Sequence, residues 1–391
     1  MVAKTLARMA LSSRQGTSPY VETVHHWECE VYPVHYEGEV RSQKSDFRYQ
    51  MSEIRSQHSV VEKTWTYLLN LLRLAVGEQS DKLEPLAPVE WREVYRLAAK
   101  HAVIAMAWDG IELVQSQSPE VLQTMPTDLM GKWFADAQAI EASNRNLAKQ
   151  AVAIQSQLTE AGFESQILKG SSLAAYYLVP AHRQSADIDL WVSQSDSPHV
   201  SLQALRQALL AYLQKQPAIT VGEIVYHHIE TMHNGIEVEY HVTPTWLCNP
   251  IHNSRLQTLF AQTGQMTSEL QELYTLLHAF RHIYHDGIAL RHILDYWFVS
   301  RHNRQDGVQP SQDLYRQLGL ITFVRAMNEV TEYIFGKTES NQLSSRAKHI
   351  LSAMPERRVS CVVKWDYRAE TLFNVPWRGV HYLWRKKNHY V

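Results

Sequence analysis

Apolar residues recur at helical spacing from Val60 onward. Val61, Trp65, Leu68, Leu69 and Leu72 mark a first amphipathic helix. A Pro-containing break at Leu83–Pro88 leads into a second, Trp91–Met106, whose apolar face carries Val94, Leu97, Ala98 and Ile104. A third helical stretch runs from Leu129 to Ala161 and stops before Gly162, a residue suited to a C-cap. The period then shortens. Ser165–Leu168 reads as a short strand, Gly170 opens a helix reaching about Leu178, Pro180–Ser185 is a loop and Ile188–Val192 is a strand. A helix over about 198–214 carries Leu202, Leu205, Leu209 and Leu213 on one stripe. Two β-rich runs follow, Glu223–Glu230 and Ile236–Val242. They are separated by His233-Asn234-Gly235, and Asn-Gly between alternating runs signals a hairpin. After Pro250 the chain reads as mainly helical.

This pattern predicts an α+β (mixed α/β) architecture in which a small sheet unit over 150–248 lies between helical regions at 56–149 and 249–391. Residues 1–50 are polar and lack periodicity, and Met51 precedes the first clean amphipathic segment. We read 1–55 as a poorly ordered or accessory extension, or as a start placed too far upstream.

Composition narrows the class without naming a chemistry. A 391-residue chain with 45% hydrophobic and 20% charged residues is that of an ordinary globular protein, long enough for two or three domains. A net charge of −2 gives no global electrostatic case for nucleic-acid or membrane binding. Cys29, Cys248 and Cys361 lie far apart without a CxxC pair, which argues against a disulfide framework or thiolate zinc site and for a reducing, cytoplasmic setting. No apolar run approaches membrane-spanning length.

The chemistry concentrates in Ile167–Val192. At a period of two, Asp187 and Asp189 share one face of a strand, roughly 6–7 Å apart, while Ile188, Leu190 and Val192 take the other. Carboxylates so placed repel each other unless a cation sits between them, and a hard divalent ion such as Mg²⁺ suits them. Upstream, Lys169-Gly170-Ser171 at a strand-to-helix turn is suited to an anion. Gly170 permits close backbone approach, Ser171 offers a hydroxyl, Lys169 a charge, and the helix start free N–H groups. A third carboxylate for metal-dependent phosphoryl chemistry comes from the hairpin strand, where Glu237, Glu239 and His241 share a face.

In this order the residues resemble a known group. Lys169-Gly170, then Arg183-x-Ser185-x-Asp187-Ile-Asp189-Leu, then Glu239-x-His241, resemble the DNA polymerase-β-like nucleotidyltransferase superfamily, and within it the bacterial uncharacterised nucleotidyltransferase family. The helical tail is similar too, with His278-Ala-Phe-Arg-His282 followed by Leu290-Arg291-His-Ile-Leu-Asp295, so the likeness covers roughly 60–299. The spacing from Arg183 to Asp189 also resembles abortive-infection nucleotidyltransferase toxins, although those carry Lys-Gly-Gly-Thr where this chain has Lys-Gly-Ser-Ser. The resemblance implies a polymerase-β-like sheet, with Asp187, Asp189 and Glu239 as metal ligands and catalytic carboxylates for Mg²⁺ (or Mn²⁺). It implies Lys169, Gly170, Ser171, Arg183 and Ser185 at the nucleotide, with Lys169 and Arg183 facing phosphates.

The expected activity is transfer of a nucleoside monophosphate from an NTP to an acceptor hydroxyl on a small molecule, RNA or protein, with release of pyrophosphate. Glu239 could double as base. The alternatives are a catalytically silent nucleotide-binding regulator on the same fold, in a toxin–antitoxin or biosynthetic cluster, and a metal-dependent phosphohydrolase.

Other residues that could line the cleft are Glu237, His241, His278, His282, Arg291 and Asp295. His278 and His282, followed by His285, have zinc-compatible spacing, but no HExxH accompanies them, and helix-packing histidines or a cationic face near phosphate is the plainer reading. Arg291 and Asp295 at i, i+4 read as a pair, and Trp384-Arg-Lys-Lys387 as a solvated basic tail. Trp297 and Trp377 are candidates for an interface or for the inside of the helical region.

Overall fold

The structure is a computed structural model that describes residues 62–194, 201–285, 287–336, 338–352 and 354. All of them belong to one unit, Ser56–Val391. The N-terminal extension, the basic tail, Trp377, Cys29, Cys361 and the side chain of His285 lie outside the described residues.

Helix α1 (62–75) buries Trp65, Leu68, Leu69 and Leu72. The stretch expected as one helix after it is two, α2 (Pro88–Lys100) and α3 (Ile104–Gln117). The break has a tertiary cause. His101 accepts the Leu290 N–H at its Nδ1 (3.2 Å) and the Arg291 N–H at its carbonyl (3.3 Å), capping a helix nearly two hundred residues away. Ala102 turns the corner at φ 53°.

Helix α4 (Thr127–Glu160) runs through the boundary expected at 149/150. Its 34 residues extend about 50 Å. Leu129, Trp133 and Ala137 pack into a helical core, whereas Leu147, Ala151, Ile154 and Leu158 pack against the sheet. One continuous helix therefore ties the two cores together.

The sheet contains β1 (Phe163–Ile167), β2 (Ile188–Gln194), β3 (Ile219–Ile224), β4 (His228–His233) and β5 (Ile236–His241), in the order β1-β2-β5-β4-β3. β2 and β5 are parallel and the other neighbours are antiparallel. One face packs Ile188, Leu190, Val192, Ile229, Val238 and Tyr240 against α4 and α6 (Leu202–Leu213). Each such buried side chain contributes on the order of 1.5–3 kcal/mol. On α6, Leu205, Leu209 and Leu213 are buried, whereas Leu202 is only half-buried.

The hairpin turn falls at Asn234-Gly235, both with positive φ (48° and 85°), the type I′ geometry that Asn-Gly favours. The first β-rich run, however, is not one strand. It spans the end of β3, a break at Val225–His227 and the start of β4, with a register shift between Val221 and Ile224.

Past Pro250 come α7 (Pro250–Thr263), α8 (Ser268–His285), α9 (Leu290–Asp306), α10 (Gln312–Gln317), α11 (Ile321–Ile334) and α12 (Ser345–Ser352). Trp297 is buried, stacked on Phe335 with centroids 3.8 Å apart. Among the described residues no helix is long and apolar enough to cross a membrane.

The loop that delivers Asp187 is clamped by three helices. Asn144 of α4 donates to the carbonyls of Ala181 (2.7 Å) and Arg183 (2.8 Å). Arg183 makes a two-pronged ion pair with Asp295 of α9 (2.7 and 2.8 Å), both side chains being almost fully buried, and Tyr177 donates to the same carboxylate at 2.7 Å. Arg291 does not pair with Asp295; its guanidinium donates to the Gln184 carbonyl at 2.9 Å. His182 lies between Asp109 of α3 (2.7 Å) and Glu141 of α4 (2.9 Å).

Two outcomes follow for stability. Asp295→Ala strands a buried guanidinium and should cost about 3–5 kcal/mol, read as a lower urea midpoint. An unchanged midpoint would show that the pair does not hold the loop. The hydrogen bond to Asp109, opposed by burial and helped by Glu141, lifts the His182 pKa from 6.5 to about 9. Its stabilisation is complete below the unfolded value of 6.5 and is lost as pH rises through about 9. His182→Gln should therefore flatten the fall in stability across that window in chemical denaturation at stepped pH. An undiminished slope would assign the pH dependence to another group.

Candidate active site

Register builds the site. Parallel pairing sets Asp189 of β2 beside Glu239 of β5, and antiparallel pairing sets Glu239 beside Glu230 of β4. One pair further along, Trp191, His241 and His228 form the adjacent row. The result is a lattice of acids and imidazoles on the face of the sheet opposite the α4–α6 core. Asp187 stands just before β2 and is partly exposed; the Asp189 side chain has no exposure at all.

Two basic groups from the chain itself meet this charge. Lys169 Nζ lies 2.9 Å from Asp189 Oδ1 and 3.4 Å from Asp187 Oδ2. His241 Nε2 lies 3.1 Å from Asp189 Oδ1 and 3.0 Å from Glu239 Oε2. Burial pulls the Lys169 ammonium down, but Asp189 and Asp187 outweigh it and hold the group above its ordinary value. His241 follows the same pattern, with burial overcome by hydrogen bonds to Asp189 and Glu239. Burial raises Glu239, yet its hydrogen bond to His241 and the charges of His241 and Lys169 hold it well below the usual carboxylate range. Neighbouring His228 is pushed down to about 4, first by burial and then by His241, so it is neutral. Glu230 and exposed Glu237 are raised, by burial and then by nearby carboxylates.

Gly170 adopts φ 64° and ψ −119°, a conformation strained for any side chain, and the space where a Cβ would stand is open. The helix it opens is shorter than expected. α5 (Ser171–Ala174) is a single turn, closed by Tyr176 N–H to Leu173 O (3.1 Å) and Tyr177 N–H to Ala174 O (2.9 Å). Pro180 disfavours helix at Val179, and Tyr177 turns inward to Asp295. A single turn has little macrodipole, so an anion here would depend on Lys169 and local N–H groups. The turn opens onto a cavity of about 410 Å³. Lys169, Gly170, Ser171, Ser185 and Asp187 line one part of it, and Leu147, Ala151 and Ile188 contribute apolar wall.

The structure thus brings together Asp187, Asp189, Glu239, Lys169 and His241, and sets Gly170, Ser171 and Ser185 around the adjoining cavity. Arg183 is engaged elsewhere: besides Asp295 it donates to Ser185 Oγ at 2.8 Å. This is a correction to its expected place facing a phosphate, as the Asp295 pairing is to the expected Arg291 pair. His278 and His282 cluster with His292 of α9, the last two rings stacked at 4.0 Å. Burial and then Lys169 push His278 well below its ordinary value, and burial and then His282 do the same to His292, so those two rings are not cationic. His292 Nδ1 accepts the Ala289 N–H (3.2 Å), which leaves the ring proton on Nε2 and makes this trio a poor nitrogen set for a metal.

Sequence reasoning missed His228, Glu230, Tyr274 and His292. The first two were recoverable. A two-residue turn at Asn234-Gly235 pairs His233 with Ile236, and counting back pairs Glu230 with Glu239 and His228 with His241. Tyr274, buried on α8 close enough to Lys169 and Asp189 to feel their charges, left no local signal.

Three overlapping groups here bring three donor atoms within 4.8 Å of one another: Asp189, Glu239 and His241; His228, Glu230 and Glu239; and His227, His228 and His241. Asp189 Oδ2 is buried with no protein partner, an orphaned anionic oxygen that a bound cation would satisfy. No curated protein matches the chain. A family model described as uncharacterised nucleotidyltransferase matches residues 87–336, the span that holds the helix-clamped loop, the whole sheet and every acid described above, and the chain belongs to that family.

Proposed function

We propose that the protein transfers a nucleoside monophosphate from an NTP to an acceptor hydroxyl, releasing pyrophosphate, at the Asp187–Asp189–Glu239 face. The observation that carries this reading is the register of Asp189 against Glu239, with Asp187 lining the cavity of the Gly170 turn. Three acids on one face with an orphaned buried oxygen fit a divalent ion. Asp187, Asp189 and Glu239 would hold it, and when bound it supplies charge neutralisation and polarisation of the acceptor oxygen.

The chain's own residues do the rest. The cavity is large enough to enclose much of a nucleotide, and Asp187 is the one of the three acids that lines it. Gly170 lets phosphate oxygens approach the backbone, Ser171 offers a hydroxyl, and Lys169 lines the same cavity with a retained positive charge. Glu239, held strongly anionic by His241 and Lys169, is a poor proton acceptor, so its part is electrostatic and not that of a base. The rate would come from positioning and preorganised charge.

One observation favours a second reading, a nucleotide-binding regulator without turnover: Lys169 already spans both aspartates. The reaction separates the two. Each NTP labelled at the α-phosphate is incubated with protein, Mg²⁺ or Mn²⁺ and cell extract, and label is followed into small-molecule, RNA and protein fractions. The transferase reading expects transfer with pyrophosphate release, and a loss of more than about 100-fold in Asp187→Ala and in Asp189→Asn with folded circular dichroism spectra. Full transfer by both variants sinks the assignment of the acids. Tight NTP binding without transfer to any fraction supports the regulator.

A further inference from the structure

The carboxylate face differs from an all-oxygen site in one respect. A nitrogen stands where two of its acids converge. His241 Nε2 is within 3.1 Å of both Asp189 Oδ1 and Glu239 Oε2, and the side chain is only 3% exposed. The β2–β5 register sets Asp189 beside Glu239 and His241 follows on the same face, so these donors are already adjacent. An ion would displace the Nε2 proton that the two carboxylates now accept, leaving a neutral imidazole protonated on Nδ1. The imidazole is also backed by others. The His228 and His227 rings lie 5.0 and 5.4 Å from it, so the surroundings of the acids are rich in nitrogen. His228 is less available, with Nδ1 3.0 Å from His227 Nε2 and Nε2 3.3 Å from Glu230. Asp189 Oδ2, buried and unpartnered, supplies the independent sign that a cation belongs beside this nitrogen.

We propose that His241 Nε2 joins Asp189 and Glu239 as a metal donor, making a mixed oxygen–nitrogen site that takes a first-row transition ion such as Mn²⁺ or Co²⁺ in preference to Mg²⁺. The inference rests on the proposed function only in placing a divalent ion at these acids. Its physical basis is donor type. Mg²⁺ favours oxygen ligands in strict octahedral geometry and keeps several waters, whereas first-row transition ions accept imidazole nitrogen with an affinity that rises from Mn²⁺ to Co²⁺. The Asp189 side chain has no exposure, and His241 supplies on that enclosed side a donor that an ion at an open site would take from water.

The test uses the full chain and metal ions alone. Mn²⁺, Co²⁺ and Mg²⁺ affinities are measured calorimetrically for the wild type, His241→Gln and Asp187→Ala, and pulsed electron paramagnetic resonance of bound Mn²⁺ looks for ¹⁴N coupling. We expect ¹⁴N coupling in the wild type and its loss in His241→Gln. We also expect that variant to bind Mn²⁺ and Co²⁺ about 10–100-fold more weakly while Mg²⁺ changes by less than about twofold. Absence of ¹⁴N coupling in the wild type overturns the proposal whatever the variants do, so a misfolded variant cannot shelter it. Coupling that survives His241→Gln, or equal losses for Mg²⁺ and Mn²⁺, also overturns it, since His241 would then act only by hydrogen bonding. Those results leave the transferase reading standing. A wild type that binds no divalent ion overturns both.

Discussion

Everything at this site follows from the difficulty of burying negative charge. Asp189 is wholly enclosed, its neighbour Glu239 is half-buried, and Asp187 stands two residues away. Ionised carboxylates in such a place persist only if cations or donors reach them. Lys169 and His241 do so from opposite sides, one from the turn after β1 and the other from β5 itself. Even so, one Asp189 oxygen has no partner among the protein atoms. The excess of acid over base is the physical reason to read the face as a cation site and not merely as a salt-bridge network.

A second constraint, mechanical this time, keeps those acids where they are. The loop leading to Asp187 is irregular backbone and would be mobile if left alone. It is pinned instead by Asn144, by His182 between two acids and by the buried Arg183–Asp295 pair. These partners come from α3, α4 and α9, and α4 itself enters both apolar cores. The helical regions therefore do more than wrap the sheet: they fix the approach of the strand that carries Asp189. This explains why an arginine and an aspartate that read as site residues serve as anchors.

Local chemistry was legible where the chain is regular. Alternation placed Asp189, Glu239 and His241 on polar faces, and the Asn-Gly turn located the hairpin, whose register carries Glu230 and His228 as well. Errors arose where a distant group decided. The stretch around Lys100 is helical in pattern but breaks because His101 caps α9, and the turn after Gly170 stays short because Tyr177 is drawn to Asp295. β3 was lost because a register shift and the irregular Val225–His227 segment obscure its alternation.

From its sequence alone, then, this chain declared its α+β character, its family resemblance and the acids of its candidate site. Those depend on side-chain period and short-range turn geometry, which act between neighbours. The tertiary structure alone decided that Glu239 lies directly beside Asp189, that Lys169 and His241 share the Asp189 carboxylate, and that Arg183 belongs to Asp295. Each of these depends on which strands and helices meet. Segments 20 to 112 residues apart must then pack into one low-dielectric space, and no local pattern records that choice.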